Sequence, residues 1–159
     1  GRPGYPNLAD DIWLWGGTLG DIETIIAHGI RWAADPDTRQ SQMPGFGTIG
    51  LLNAAQISDI AEFVLSLSGS QTDAAAAERG QPLYARQCGV CHGPKGEGKQ
   101  AIGAEAFNDK TWLYDDDKAS IMRQIDNPRH GVMPAWIGRL DPTAIKLLTV
   151  FVHSLGGGK

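Results

Sequence analysis

Five stretches of the chain carry apolar residues at helical spacing, each bounded by polar start and stop signals. Thr18 is placed to cap a helix running to about His28, with Asp21 in its first turn complementing the positive end. Asn53, followed three residues later by Gln56, forms a capping pair ahead of Ala54 to Leu67, and Ser68-Gly69 closes that stretch. A short polar linker, Ser70 to Asp73, leads to a third helix over Ala74 to Gln87. Asp115 to Asp117 start a fourth that extends to about Asp126. Asp141-Pro142 opens the last, with Asp as cap and Pro in the first turn, and it runs to about Leu155 before three glycines. No stretch alternates convincingly as a strand would. The pattern predicts an all-α fold with long loops, and the 21 glycines fit loops with close backbone approaches.

The same words then recur. Trp13-Leu14-Trp15 is echoed by Trp112-Leu113-Tyr114, and Ile22 to Ile26 by Ile121 to Ile125, both at an offset of 99. His28-Gly29 returns as His130-Gly131, Met43-Pro44-Gly45-Phe46 as Met133-Pro134-Ala135-Trp136, and Phe63 to Leu67 as Phe151 to Leu155. Order is kept while the offset drops to 88, because the first copy has extra residues between His28 and Met43. A period this long marks a duplicated domain rather than a solenoid. Charge divides at a matching place. Residues 1–72 hold three basic and eight acidic side chains, and residues 73–159 hold eleven and ten. The expected organisation is therefore the distal part of a first copy over 1–72 and a complete second copy over 73–159.

Chemistry enters at Cys88-Gly89-Val90-Cys91-His92. At the end of a helix, two thiols three residues apart face one side. Each can form a thioether with a haem vinyl group, and the adjacent imidazole can bind the iron. C-x-x-C-H is the usual sign of c-type haem attachment. A bare C-x-x-C would leave thioredoxin-like chemistry or half a zinc site open, but no third cysteine exists to complete a zinc site. One covalent haem c is expected in this chain, on Cys88, Cys91 and His92. Its second axial ligand is expected to be Met133, a soft thioether whose loop is restrained by Pro134. Met43 occupies the matched position in the first copy. Carrying the offset back from Cys88 puts that copy's cysteines about eleven residues ahead of Gly1. Met43 is thus expected to ligate a first haem only if an upstream C-x-x-C-H exists. Met122 reads as core, His130 as a minor competitor for iron, and His28 and His153 as surface or structural. Gly80, Tyr84 and Cys88 share a helix face, expected to meet the last helix through Leu148, Phe151 and Val152. Trp112 and Trp136 are expected to wall the haem.

The formal charge of −4, with no basic cluster, argues against nucleic acid. The longest uncharged run, Gln40 to Ser58, is broken by Pro44, glycines and amides and falls short of roughly 20 apolar residues. The opening Gly-Arg-Pro-Gly is not a signal peptide. It reads as an internal point of a longer protein.

The pattern Gly80…Tyr84…CGVCH…Met133-Pro134 followed by a terminal helix resembles class I cytochrome c. The longer words GYPNLADDIWLWGG (4–17), TWLYDDD (111–117) and HGVMPAWIGRLDPTAIKLLTVFVHSLGGG (130–158) resemble the dihaem subunit III of cbb3-type cytochrome c oxidases. The resemblance implies tandem cytochrome c domains on the periplasmic side of a bacterial inner membrane. It implies electron transfer within the oxidase, in company with its catalytic and monohaem subunits, from a soluble or membrane cytochrome c donor. The chain is expected to make and break no substrate bond of its own. Membrane association would come only through an N-terminal anchor missing from this sequence, or through other subunits. A soluble dihaem cytochrome, the cytochrome subunit of a periplasmic dehydrogenase, a haem peroxidase or sensor with an open sixth site, and a pure docking module remain alternatives.

Overall fold

A computed structural model describes residues 4–156. The helices among them are α1 (Leu19–His28), α2 (Ala54–Leu67), α3 (Ala74–Gln87), the single turn α4 (Gly89–His92), α5 (Lys118–Asp126) and α6 (Pro142–Leu155). The sequence's polar start signals become real caps. Thr18 Oγ1 accepts the Asp21 N–H at 3.1 Å. Asn53 and Gln56 form a reciprocal capping box at 3.0 Å each way. Of the three aspartates before α5, Asp117 is the cap, accepting the Ser120 N–H at 3.0 Å, so the helix begins at Lys118. Among the described residues β-structure is limited to isolated bridges, and the class is all-α, as expected. No described helix is long and apolar enough to cross a membrane.

The chain forms two compact units, and each draws on both copies of the repeat. One gathers the chain up to Ser41, Gln100–Gly103 and the chain from His130 onward. In it α1 packs on α6, with Ile22, Ile26 and Ile145 at the centre and Trp13, Met133 and Trp136 around them. The other gathers Gln42–Lys99 and Ala104–Arg129. There α2 packs on both α3 and α5, around Ile60, Val64, Tyr84, Cys88 and Ile121. Glu62, buried on α2, ties the three helices of this unit together. Its carboxylate accepts the N–H of Asp73, the cap of α3, at 3.0 Å and pairs with Lys118 at the start of α5 at 2.7 Å.

The backbone records the exchange. Phe46 N–H donates to the Ile125 carbonyl at 3.0 Å, and its repeat partner, Trp136 N–H, donates to the Ile26 carbonyl at 3.2 Å. Each Met-Pro loop is thus seated on the helix of the other copy. A boundary near residue 72 does not describe this packing, because α2 and α3 on its two sides form the main helix pair of one unit. The expected partner of α3 changes accordingly. Its Gly80 face meets α2, where a Cβ on Gly80 would lie 2.1 Å from the Asp59 carbonyl oxygen. Glycine lets the two backbones touch, and Arg79 clamps the crossing with two bonds to Asp59, at 2.7 and 3.0 Å. Leu148 and Phe151 of α6, expected against α3, are exposed instead.

Candidate functional site

Cys88 ends α3, its N–H donating to the Tyr84 carbonyl at 2.8 Å, and its own carbonyl starts the next turn by accepting from Cys91 and His92. The Cys-Gly-Val-Cys-His run is therefore wound into one turn at the end of a helix, where thiols three residues apart fall on neighbouring positions of one side. Cys88 is buried and Cys91 exposed. Burial, with Cys91 adding to it, pushes the Cys88 thiol up to about 12. At neutral pH this sulfur is held as the thiol.

His92 Nδ1 lies 2.8 Å from the Glu105 carbonyl oxygen and donates to it. That bond fixes the ring and leaves Nε2 with the lone pair, the form a metal takes. Burial lowers the pKa of His92, which further favours the neutral imidazole. Its ring stacks on Phe107 at 4.4 Å, and Phe107 stacks on Trp112 at 5.8 Å. Glu105 is itself anchored. Its carboxylate accepts the Leu113 N–H, and burial pushes that carboxyl up to about 7. The loop after the motif is pinned by Tyr84, whose hydroxyl donates to the Gly93 carbonyl at 2.8 Å. The Tyr84 phenol is buried, which raises its pKa.

Tyr84→Phe should preserve packing and cost about 1–2 kcal/mol of stability, because it leaves the Gly93 carbonyl without its donor. Urea unfolding of the haem-loaded protein measures it, and an unchanged midpoint would mean the bond carries no net weight.

Two anchored thiols and one imidazole with a fixed proton form a donor set that fits a covalent c-type haem. The methionines are sorted by unit. Met43 packs against the cluster that contains Cys88, alongside Phe107 and Trp112. Met133 packs with Ile22, Ile26 and Ile145 in the other unit. It is held there by a two-bond bridge to Ile30, Met133 N–H to Ile30 at 2.9 Å and the return bond at 3.0 Å. A Cβ on Gly29 would fall 2.1 Å from the Met133 carbonyl oxygen, so glycine there is required by the bridge.

The family model described as cytochrome c oxidase, cbb3-type, subunit III matches residues 75–152. Across its full length the chain is 51% identical to the cbb3-type cytochrome c oxidase subunit CcoP of Azospirillum brasilense, covering 56% of that protein. It is likewise 51% identical to subunit FixP of Azorhizobium caulinodans, covering 54%, and 45% identical to CcoP of Cereibacter sphaeroides, covering 55%. The chain belongs to the cbb3-type oxidase subunit III family. It spans a little over half the length of these relatives.

Within this subunit III chain, Cys88, Cys91, His92 and Trp112 lie in one unit. Met133 and Trp136 do not join them. Trp136 borders the α1–α6 core under the Arg139 guanidinium, 4.4 Å from its ring. Met43, expected to ligate only with an upstream motif, packs on the core that contains Cys88. Proximity along the chain favoured Met133 beside the motif, while the backbone bond of Phe46 seats the Met43 loop on α5. Met122 is half-buried against the same core, as expected. His28 is paired with Asp35 at 3.2 Å. Sequence reasoning missed Phe107 and Glu105. The stack and the backbone acceptor that orient His92 come from a loop with no periodic signal.

Proposed function

We propose that this chain carries electrons through a c-type haem held by Cys88, Cys91, His92 and Met43, as the cytochrome c part of a cbb3-type oxidase. The observation that carries it is the fixed His92 tautomer at the end of a C-x-x-C-H turn, with a methionine packed on the same core. Haem c supplies a one-electron couple when bound. Cys88 and Cys91 anchor it through two thioethers, so it cannot dissociate between transfers. His92 offers Nε2, with the Glu105 carbonyl preventing ring rotation. Met43 offers a soft thioether that favours the reduced iron and raises the potential. With His92 and Met43 both holding the iron, the bound haem would serve as an electron relay rather than a catalyst of oxygen chemistry. The working partners are then the catalytic and monohaem subunits of the oxidase and a cytochrome c donor, on the periplasmic side of the membrane.

Met133 is proposed to serve a second haem whose attachment residues lie outside residues 1–159, since both cysteines of this chain belong to the other unit. The surface of α6 supports this. Its exposed Leu147, Leu148 and Phe151 match, at the repeat offset of 88, the Asp59, Ile60 and Phe63 positions of α2. Asp59 and Ile60 are where Gly80 of the attachment helix crosses. A helix like α3 would cover them.

Intact mass under denaturing conditions tests the reading. One haem is expected on the 159-residue chain. Cys88→Ala combined with Cys91→Ala should remove it and stop electron passage from reduced cytochrome c to the assembled oxidase. Haem mass surviving the double substitution would end the proposal.

A further inference from the structure

Arg31 is the one non-glycine among the described residues with positive φ, at 54°, a conformation that costs an ordinary side chain energy and persists only where its surroundings demand it. Its guanidinium is bonded on two sides. Nε donates to the Ser41 carbonyl at 2.6 Å, and Nη1 donates to the Gly131 carbonyl at 2.9 Å. The same group lies over the buried Trp15 ring, 5.2 Å from its centre, which adds a cation–π contact. Ser41 and Gly131 each lie two residues ahead of a methionine, in Ser-Gln-Met-Pro and Gly-Val-Met-Pro. Ile30, next in the chain, makes the two-bond bridge to Met133. Arg31 is therefore the side chain that grips both methionine-bearing loops at once, and it lies in the stretch between His28 and Met43 that the second copy lacks.

We propose that Arg31 is a positioning residue for both axial methionines. A single guanidinium sets the approach of the Met43 and Met133 loops, so that the two ligations are tied to one anchor. The proposal rests on the assignment of Met43 and Met133 as ligands. Two charge-assisted bonds to carbonyls, the Ser41 one half-buried and the Gly131 one exposed, are strong enough together to matter, and a flexible ligand loop surrenders its bond to a competing base more readily than a fixed one. The strained backbone fits the same purpose, because it directs the fork between the two carbonyls.

The test uses the full-length, haem-loaded subunit in the ferric state, titrated with imidazole while the methionine-to-iron charge-transfer band is followed. Arg31→Gln removes the fork, and Arg31→Gly removes both the fork and the strain. Both should keep covalent haem mass and helical circular dichroism, yet lose the band at about tenfold lower imidazole, the size of one lost charge-assisted bond. Equal loss in the two variants assigns the effect to the guanidinium rather than the backbone. Arg31→Lys, which keeps the charge and can reach one carbonyl at a time, should fall between them and the parent. It also keeps the test readable if Arg31→Gln lowers yield. Met43→Ala and Met133→Ala are the references. If these abolish band intensity while all Arg31 variants titrate like the parent, Arg31 has no positioning role. If neither methionine variant changes the band, the ligand assignment itself is wrong and the role of Arg31 falls with it.

Discussion

Met43→Ala is expected to leave the haem covalently attached to Cys88 and Cys91 while stripping its second axial ligand. In the 159-residue chain, with its single attachment motif, the methionine-to-iron band should vanish, the potential should fall, and the ferrous iron should bind carbon monoxide. Met133→Ala in the same chain should leave the spectrum unchanged. The asymmetry follows from packing: Met43 shares a core with Cys88 and Trp112, whereas Met133 belongs to the α1–α6 core. Loss of a thioether ligand lowers a haem potential because the soft donor stabilises the reduced iron. The reverse outcome, an open iron with Met133→Ala and an intact one with Met43→Ala, would show that the loops are not exchanged.

Gly80→Val should be the most damaging single change away from the haem ligands. A Cβ there meets the Asp59 carbonyl oxygen at 2.1 Å, the Asp59 carbonyl carbon at 2.5 Å and the Ile60 nitrogen at 2.9 Å, all of them backbone. No side chain can swing away, so α2 and α3 must separate. Overpacking of this kind costs about 1–3 kcal/mol or more. Gly80→Ala sharpens the test, because replacing a mid-helix glycine by alanine should by itself stabilise the helix by about 1 kcal/mol. A net loss in the alanine variant, read from urea unfolding and from haem yield, means the crossing outweighs propensity. A neutral or stabilised Gly80→Ala would mean that the helices have room to part.

Much of the local structure is legible in the sequence because it is governed by neighbours. The Asn53–Gln56 box, the Asp117 and Asp141 caps and the Thr18 cap involve residues within three positions of one another. The Cys-x-x-Cys-His turn is equally local, and its chemistry is carried by residue types that have few other uses together. The pairing of loops with helices is different. After a duplication, Phe46 and Trp136 each find two nearly equivalent helix ends, at Ile26 and Ile125, and apolar pattern cannot tell them apart. Short connection is the usual guide, and with six residues between Asp126 and Met133 it favours the Met133 loop at the α5 end, where the Phe46 loop is seated. Arg31 was invisible for a related reason. Its two acceptors are backbone carbonyls 10 and 100 residues away, and a carbonyl leaves no mark on a sequence.

The exchange also dictates an order of events during biosynthesis. The unit that contains Cys88 and Cys91 is finished once the ribosome has made Arg129, since its segments run from Gln42 to that point. The other unit cannot close until α6 has been made, because α1 finds its partner only across the whole intervening chain from Gly29 to Asp141. Contacts this distant in sequence form slowly, as chain entropy must be surrendered before burial is gained. Among the described helices, α1 is the first made and its partner α6 the last. During that interval the Ile22 and Ile26 face of α1 lacks Ile145, the α6 residue it packs on in the finished unit. Pulse-labelled hydrogen exchange should find α2 and α3 protected well before α1.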